Sequence, residues 1–142
     1  MNILILSGSP RKGGNTELLA EAFAKGAAER LRVGASAGMH HHVEIVSVRD
    51  YFYGISAQLK AVIDRFHNPI RDSFRIKKMA LLLVGAASLQ ELFDAILTEY
   101  DLCLKFFDIE DADKVLVRGV KDKGDIKNTD ALNEAYRLGC SI

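Results

Sequence analysis

The sequence has very few residues from which a metal framework or a membrane anchor could be built. It contains two cysteines, Cys103 and Cys140, and neither lies in a CxxC pair, so we expect no zinc or iron–sulfur site within one chain. Its longest apolar runs are Ile3–Leu6 and Met79–Val84, far shorter than the roughly 20 residues of a membrane span. The amino terminus also lacks a basic segment followed by an apolar one. These absences predict a cytoplasmic protein with neither a metal nor a membrane partner.

A net charge is missing as well. The 19 Lys and Arg residues balance 19 Asp and Glu residues, so no overall field attracts DNA, RNA or an anionic membrane. We therefore expect no nucleic-acid partner, and any anion site must be local. The 49% of hydrophobic and 27% of charged residues argue against disordered and coiled-coil classes, and 142 residues suit one domain with one core.

What the sequence does contain is a regular alternation of apolar runs and helical stripes. A β-favouring run followed by apolar residues at helical spacing occurs four times. We predict strands over residues 3–6, 43–48, 79–84 and 114–117, with a helix after each of them. This order predicts a single α/β domain, residues 1–142, in which a doubly wound parallel sheet lies between two layers of helices.

Polar residues and glycines predict where these helices begin and end. Asn15 or Thr16 can cap the first helix at its amino terminus. Ser88 and Glu91 have the spacing of a capping box for the third helix. Gly139 is placed to end the fourth.

The loop after the first strand combines residue types that bind phosphate. It reads Ser7-Gly8-Ser9-Pro10-Arg11-Lys12-Gly13-Gly14-Asn15-Thr16 and lies between a buried strand and a helix, where parallel sheets bind their ligands. Glycines turn backbone N–H groups inward, hydroxyls and an amide donate hydrogen bonds, and Arg11 and the helix dipole add positive charge. An ordinary glycine-rich connection would explain the glycines but not the converging donors. We therefore predict a phosphate cradle.

Features that this loop lacks narrow the choice of ligand. The Gly-Lys-Ser/Thr ending that binds nucleoside triphosphates with magnesium is replaced by Gly13-Gly14-Asn15. The loop has no GxGxxG dinucleotide pattern and no cysteine for phosphatase chemistry. It fits a terminal monophosphate that is held rather than transferred, and we expect no catalytic side chain.

Ser7–Thr16 resembles the phosphate loop of the flavodoxin-like NAD(P)H-dependent FMN reductase and iron–sulfur flavoprotein superfamily. The hallmark of that loop is Ser-Gly-Ser-Pro-Arg followed by Gly-Asn-Thr, and segments within residues 51–65, 85–88 and 119–126 resemble other parts of the family. The resemblance implies a flavodoxin-like three-layer fold with FMN as cofactor. It also implies that Ser9, Arg11, Asn15 and Thr16 hold the FMN phosphate, with Ser7 at the edge of the cradle.

A second segment is similar to the family's flavin-ring loop. The resemblance implies that Tyr51, Phe52, Tyr53 and Gly54 lie along the isoalloxazine ring, and that Gly85 belongs to the glycine-rich loop after the family's fourth strand. Apolar and aromatic neighbours with nearby backbone donors suit a flat heteroaromatic ring. Ordinary core or interface packing is the alternative explanation for the three aromatic residues.

The sequence departs from the family between Asp50 and Tyr51, which are adjacent here. Family members have a loop, a helix and their third strand between the equivalent residues, and their Ser/Thr-Pro step is replaced by Arg49-Asp50. Loss of that strand would leave the first strand without an inner neighbour and its backbone groups unpaired. Either a stretch is omitted from this sequence or a shortened protein closes its sheet in another way, and we expect omission.

The resemblance implies an oxidoreductase with NAD(P)H as electron donor, FMN as the hydride acceptor, and a small-molecule or protein electron acceptor. A homodimer or homotetramer is expected, because the chain is too short to supply a lid for the flavin ring. Two alternatives stay open: a flavodoxin-type FMN electron carrier without a nicotinamide site, and a non-catalytic subunit with an empty cofactor site. The neutral charge disfavours the carrier, because flavodoxins of that kind are usually strongly acidic.

Overall fold

The computed structural model describes residues 1–7, 12–34, 41–47, 55, 57–66 and 75–142. Within them four β-strands alternate with four α-helices, which confirms the predicted βα order. The strands are β1 (Asn2–Ser7), β2 (His42–Ser47), β3 (Lys78–Val84) and β4 (Glu110–Val117), and the helices are α1 (Asn15–Val33), α2 (Ala57–Phe66), α3 (Asp94–Phe107) and α4 (Ala131–Ser141). Short 3-10 helices, Gln90–Phe93 and Asp125–Asn128, precede α3 and α4. None of the helices in these ranges has the length and apolar character needed to span a bilayer.

The strand pairs that the structure describes are parallel. β1 pairs with β2 in register, residues 2–7 opposite residues 42–47, and β3 pairs with β4. Within the described ranges no ladder joins β1 to β3, so the strands form two separate two-stranded sheets where one doubly wound sheet was predicted; we call them the β1–β2 half and the β3–β4 half. This is the arrangement expected when β1 lacks its inner neighbour.

Helices α1 and α4 pack together and form the main core with one face of the strands. A Cβ on Gly26 of α1 would collide with the carbonyl oxygen of Tyr136, and a Cβ on Gly139 of α4 would collide with that of Phe23. The two glycines therefore allow the helix backbones to touch. The prediction that Gly139 ends the last helix is wrong, because α4 continues to Ser141 and the glycine serves this crossing instead.

The β3–β4 half is covered on both faces. Met79 and Leu81 of β3 pack against Tyr100 of α3, whereas Ala80 and Leu82, which alternate with them, pack in the α1–α4 core. Since successive residues of a strand point to opposite faces, α3 and the α1–α4 pair lie on opposite sides of the sheet. This half is the middle of three layers, as predicted.

The β1–β2 half is covered on one face in the part of the chain that the structure describes. Ile5 packs in the α1–α4 core and is 8% exposed. Leu4, on the other face of β1, is 55% exposed, and Val46 of β2 is 37% exposed. An aliphatic patch therefore remains open on this half.

Strand β4 is longer than predicted. It begins at Glu110 rather than at Lys114, and its first residues are charged, a composition that does not favour strands in a sequence-based prediction. The backbone there pairs with β3 through a register irregularity, and Asp113 has a φ of 127°. The first four residues of the strand could not be predicted, because their pairing depends on backbone hydrogen bonds and not on an apolar pattern.

The predicted capping box of Ser88 and Glu91 is wrong. Leu89 occupies the N-cap position of the 3-10 helix before α3, and no side chain caps it. Instead, the guanidinium of Arg118 donates to the carbonyl oxygens of Leu89 and Gln90, at 3.1 and 2.9 Å. A residue that follows β4 thus fastens the start of this helical segment.

Candidate functional site

The carboxyl end of β1 carries a buried hydroxyl group that lacks a hydrogen-bond partner. Ser7 is 3% exposed, and its Oγ forms no hydrogen bond. By strand alternation the side chain lies on the same face as Ile3 and Ile5, which pack in the α1–α4 core. A buried polar group without a partner is costly, so this position fits a group that accepts or donates a hydrogen bond. Ser7 is the residue predicted at the edge of the phosphate cradle.

Two glycines lead into α1. Gly13 has a φ of 67°, in the left-handed region, and its N–H donates to the Glu17 carboxylate. Gly14 occupies the N-cap position, and no side chain caps the helix. The predicted cap at Asn15 or Thr16 is wrong, because Asn15 is already helical and its side chain is bonded elsewhere. The start of α1 therefore presents the positive end of the helix dipole without a side-chain cap, directly after the loop from β1.

Asn15 joins α1 to the turn that follows β4. Its Nδ2 donates to the carbonyl oxygen of Asp122 at 2.9 Å, and its Oδ1 accepts from the N–H of Gly124 at 2.9 Å. The residue is 9% exposed. Since a primary amide has two N–H donors, the contact predicted between Asn15 and a phosphate stays a prediction, while the link to the turn is an additional role.

The turn over residues 121–125 has its own internal support. The Asp125 carboxylate accepts from the backbone N–H groups of Lys121 and Asp122, at 3.0 and 2.7 Å. The Lys123 ammonium reaches back to the first loop and donates to the carbonyl oxygen of Lys12 at 3.2 Å. The loops after β1 and β4 therefore meet at one edge of the fold, as expected for the carboxyl ends of parallel strands.

Gly85 lies where the loops after β3 and β4 are tied together. Its N–H donates to the carbonyl oxygen of Val117 at 2.8 Å, and its own carbonyl accepts from the N–H of Val120 at 3.2 Å. A Cβ on Gly85 would collide with Leu92 and come within 3.2 Å of the Phe93 ring. A side chain here would have to displace the Leu92 side chain, and the predicted place of Gly85 near a flavin ring stays a prediction.

Of the remaining predicted site residues, one lies within the described ranges. Thr16 lies in the first turn of α1 and is half-buried. Six further predicted residues lie outside the described ranges: Ser9, Arg11, Tyr51, Phe52, Tyr53 and Gly54. The structure therefore brings Ser7, Asn15 and Thr16 to the end of β1 and the start of α1.

Sequence reasoning missed the contribution of the turn after β4. In the sequence, Asn15 is separated from its two hydrogen-bond partners by 107 and 109 residues. No local sequence pattern predicts such a contact. The signal that could have found it is the Lys-Gly-Asp string at 123–125, a turn-forming sequence directly after a strand in a fold whose loops converge at one edge.

The clearest electrostatic perturbation of a buried side chain lies away from this edge, at the beginning of β4. Burial, together with a hydrogen bond to the Asp111 carboxylate, raises the pKa of Tyr100 far above its usual range. Burial tends to raise the pKa of Asp111 as well, but hydrogen bonds from Lys114 and Tyr100 outweigh it and hold that pKa below its usual range. The Tyr100 hydroxyl also lies 2.7 Å from the carbonyl oxygen of Met79, so its single proton is shared between two acceptors. This network fastens α3 to the sheet.

Comparisons with known proteins agree with this architecture. Residues 1–52 match the family model described as NADPH-dependent FMN reductase, whereas no curated protein matches the sequence. The Trp repressor binding protein from Bacillus subtilis superposes with a TM-score of 0.66 at 18% identity, over 96% of this chain and 98% of that one. A flavodoxin, WrbA-like protein from Agrobacterium tumefaciens superposes with a TM-score of 0.57 at 15% identity, over 97% and 94% of the two chains.

At such identities the two structures establish the fold, and the family match adds the sequence of the first 52 residues. That match contains β1, the phosphate loop and α1. The fold is flavodoxin-like, and the family match supports a flavin-dependent oxidoreductase. The predicted resemblance to the flavodoxin-like NADPH-dependent FMN reductase family is thereby confirmed, on the sequence of residues 1–52 and on the fold.

Proposed function

We propose that this protein is an FMN-dependent NAD(P)H oxidoreductase of the flavin or quinone reductase type. The observation that carries the proposal is the buried hydroxyl of Ser7, which lacks a partner and lies within the residues that match the family model. A phosphate oxygen is an acceptor of the kind that this hydroxyl lacks, and the nearby start of α1 favours an anion. The residues present therefore fit the phosphate monoester of FMN.

The phosphate is assigned to donors of three kinds. Ser7 and Thr16 offer hydroxyl groups, and the start of α1 offers backbone N–H groups that no side chain caps. Ser9 and Arg11 are assigned by their place in the sequence motif, with the Arg11 guanidinium supplying charge and paired donors. The role of this loop is to bind and orient the cofactor.

The flavin ring is assigned to Tyr51–Gly54 and to the loop that begins at Gly85. Aromatic side chains exclude water from such a ring, and backbone N–H groups can hydrogen-bond its heteroatoms. When bound, FMN supplies the redox chemistry between NADH or NADPH and a small-molecule or protein electron acceptor. No side chain of this chain has to act as a nucleophile or as an acid.

A homodimer or homotetramer is part of the proposal. It is supported by the aliphatic patch on the β1–β2 half, where Leu4 is 55% exposed and Val46 is 37% exposed. Exposed apolar patches are typical of surfaces that bind another protein. A second subunit would also supply cover for a flavin ring, for which the sequence predicts no lid. A cytoplasmic location stays a prediction from the sequence.

The activity is tested on purified protein reconstituted with FMN. We expect the visible absorbance of bound flavin to appear in stoichiometric amount and to bleach when NADH or NADPH is added without oxygen. Bound flavin that dithionite bleaches but neither nicotinamide does would point to the electron carrier. Failure to bind FMN at all would point to the non-catalytic subunit and would refute the proposal.

The phosphate assignment is tested with Arg11→Ala. Because charge-assisted hydrogen bonds are worth roughly 1.5 to 3 kcal/mol, we expect FMN to bind about 10- to 100-fold more weakly. Riboflavin, which has no phosphate, should bind as to the unaltered protein. Arg32→Ala removes the same charge from the far end of α1 and should change neither affinity. Equal losses for FMN and riboflavin would show that Arg11 acts through the fold and not on phosphate.

A further inference from the structure

The Lys123 ammonium lies at the phosphate loop although it belongs to the opposite half of the chain. The turn that carries it is fixed to α1 by both amide atoms of Asn15, at 2.9 Å each. Its backbone is fixed from the other side by the Asp125 carboxylate. Lys123 therefore lies beside the first loop on a turn whose backbone is held by side-chain hydrogen bonds.

The glycine at position 13 makes room for this ammonium group. A Cβ on Gly13 would lie 3.0 Å from the Lys123 Nζ and 3.2 Å from its Cε. The φ of Gly13 is 67°, which most residues with a side chain avoid. The backbone conformation favours glycine here, and a side chain would push the Lys123 ammonium away, so the glycine leaves a cation beside the turn into α1.

The charge of Lys123 is not neutralised within the described part of the chain. Its one hydrogen bond goes to the neutral carbonyl oxygen of Lys12 at 3.2 Å, and no described carboxylate forms an ion pair with it. The Glu17 carboxylate, in the first turn of α1, accepts from the N–H of Gly13. An exposed ammonium held at a backbone carbonyl retains donors for an anion.

A second observation points independently to a ligand at this place. Ser7 is the last residue of β1, directly before the same loop. It is 3% exposed, and its hydroxyl has no hydrogen-bond partner. A hydroxyl donor at the end of β1, the start of α1 without a side-chain cap and an ammonium from the turn after β4 all adjoin the loop between β1 and α1, and they are the kinds of groups that bind a phosphate dianion.

We infer that Lys123 is a further phosphate-binding residue, which supplies a cation from the turn after β4 to a phosphate monoester held at the start of α1. The inference deepens the proposed function and rests on its phosphate site. It makes the cradle a joint product of the two halves of the chain, because the family match ends at residue 52 while Lys123 lies in the last quarter. Binding of the phosphate would then fasten the two loops together.

The experiment compares Lys123→Met with Lys127→Met. Lys127 is an exposed lysine in the adjacent 3-10 helix, so both variants lose one charge from the same region. Lys123→Arg restores a cation, and the melting temperature without ligand checks the folding of each variant. The probes are inorganic phosphate, with sodium chloride at equal ionic strength as the reference, and FMN and riboflavin.

We expect inorganic phosphate to raise the melting temperature of the unaltered protein and of Lys127→Met, and to have little effect on Lys123→Met. Lys123→Met should bind FMN about 3- to 10-fold more weakly, because the lost contact is charged but open to solvent and screened by salt. Riboflavin affinity should not change, and Lys123→Arg should recover most of the FMN affinity.

Other outcomes distinguish a failure of the Lys123 inference from a failure of the proposed cofactor. If Lys123→Met binds phosphate and FMN as Lys127→Met does, or loses FMN and riboflavin equally, the inference is overturned. If the unaltered protein responds to neither phosphate nor FMN, the inference is overturned as well. If it responds to phosphate through Lys123 but does not bind FMN, the phosphate site stands and the proposed cofactor is wrong.

Discussion

Among the residues that the structure describes, the two halves of the sheet differ in how far their faces are covered. The β3–β4 half has helices on both faces, and Val84, Val115 and Val117 are each less than 9% exposed. The β1–β2 half has the α1–α4 layer on one face, while Leu4 on the other face is 55% exposed. The family match covers the less complete half. The residues that we propose to bind a phosphate, Ser7 and Thr16 among them, thus lie in the half of which the structure describes less cover.

The two halves are connected mainly by contacts of helix α1. The helix begins at the phosphate loop, packs against β1 and β2, and makes its most extensive contact with α4, which follows β4 in the chain. At its amino end Asn15 holds the turn after β4. The start of α1 is therefore held by contacts with the β3–β4 half, and on the proposed function changes that separate the halves should weaken phosphate binding without altering the residues assigned to it.

The largest effect is expected where α1 crosses α4. Gly26→Ala places a methyl group against the carbonyl of Tyr136, and because backbone cannot yield, we expect a loss of about 3 kcal/mol or more in the free energy of unfolding. Gly34→Ala, at the end of the same helix, brings its Cβ within 3.4 Å of only the flexible Arg30 side chain and should change stability by less than about 0.5 kcal/mol. Urea unfolding followed by circular dichroism measures both. Equal effects would mean that the helices do not touch at Gly26.

The second test compares adjacent residues of β1. Ile5→Ala removes buried side-chain volume from the core and should cost about 2 to 4 kcal/mol. Leu4→Ala removes a side chain that is 55% exposed and should cost less than about 1 kcal/mol. The measurement is denaturant unfolding at two protein concentrations. A large loss for Leu4→Ala would show that the open face is covered in solution, and a loss that depends on protein concentration would identify the cover as a second subunit.

The exposed face of β1 is related to the predicted omission between Asp50 and Tyr51, a junction that lies outside the described residues. A helix and a strand omitted there would supply a neighbour for β1 and cover for Leu4, so the predicted omission and the open face concern the same missing material. The prediction that these residues are not natural neighbours is checked by the intact mass of the native protein. A mass of 15.7 kDa would mean that the sheet is closed in another way.

Features with a local signal were predictable from the sequence, and features that depend on distant partners were not. The βα order follows from apolar periodicity and is confirmed, whereas phosphate binding by the loop after β1, which follows from its glycines and hydroxyls, stays a prediction. The role of Gly139 was misassigned because a helix crossing leaves no local mark. The charged start of β4 was missed because backbone pairing with β3, and not side-chain composition, makes it a strand. Asn15 was identified as a site residue, but its partners after β4 could not be read from its neighbours.

A smaller effect is expected in the completed half. Tyr100→Phe removes a hydroxyl that lies 2.7 Å from the Met79 carbonyl oxygen and 2.8 Å from the Asp111 carboxylate, so we expect a loss of about 1 to 2 kcal/mol. Tyr136→Phe removes an exposed hydroxyl that bonds to Glu29 and should cost less than about 0.5 kcal/mol. The hydroxyl of Tyr100 also predicts a pH dependence. Because the raised pKa of Tyr100 favours its neutral form, the stability that this group contributes is present below pH ~10 and is lost as the pH rises above it. Chemical denaturation between neutral and alkaline pH should show a steeper decline in the free energy of unfolding for the unaltered protein than for Tyr100→Phe.

The smallest effect concerns Asp111 in acid. Hydrogen bonds from Lys114 and Tyr100 hold the pKa of this carboxyl below its usual range in the folded protein, so the folded state binds a proton less readily than the unfolded chain does. The stability contributed by the carboxylate is therefore present above pH ~4 and is lost as the pH falls through its lowered pKa. The carboxylate is partly open to solvent, which limits the contribution to less than about 1 kcal/mol. Asp111→Asn keeps an oxygen for the Tyr100 hydroxyl but cannot titrate, so its free energy of unfolding should change less between pH 5 and pH 3 than that of the unaltered protein. Asp101→Asn, on the exposed side of α3, is the control and should retain the acid dependence, and an equal flattening in both variants would assign the effect to general charge and not to the network around Tyr100.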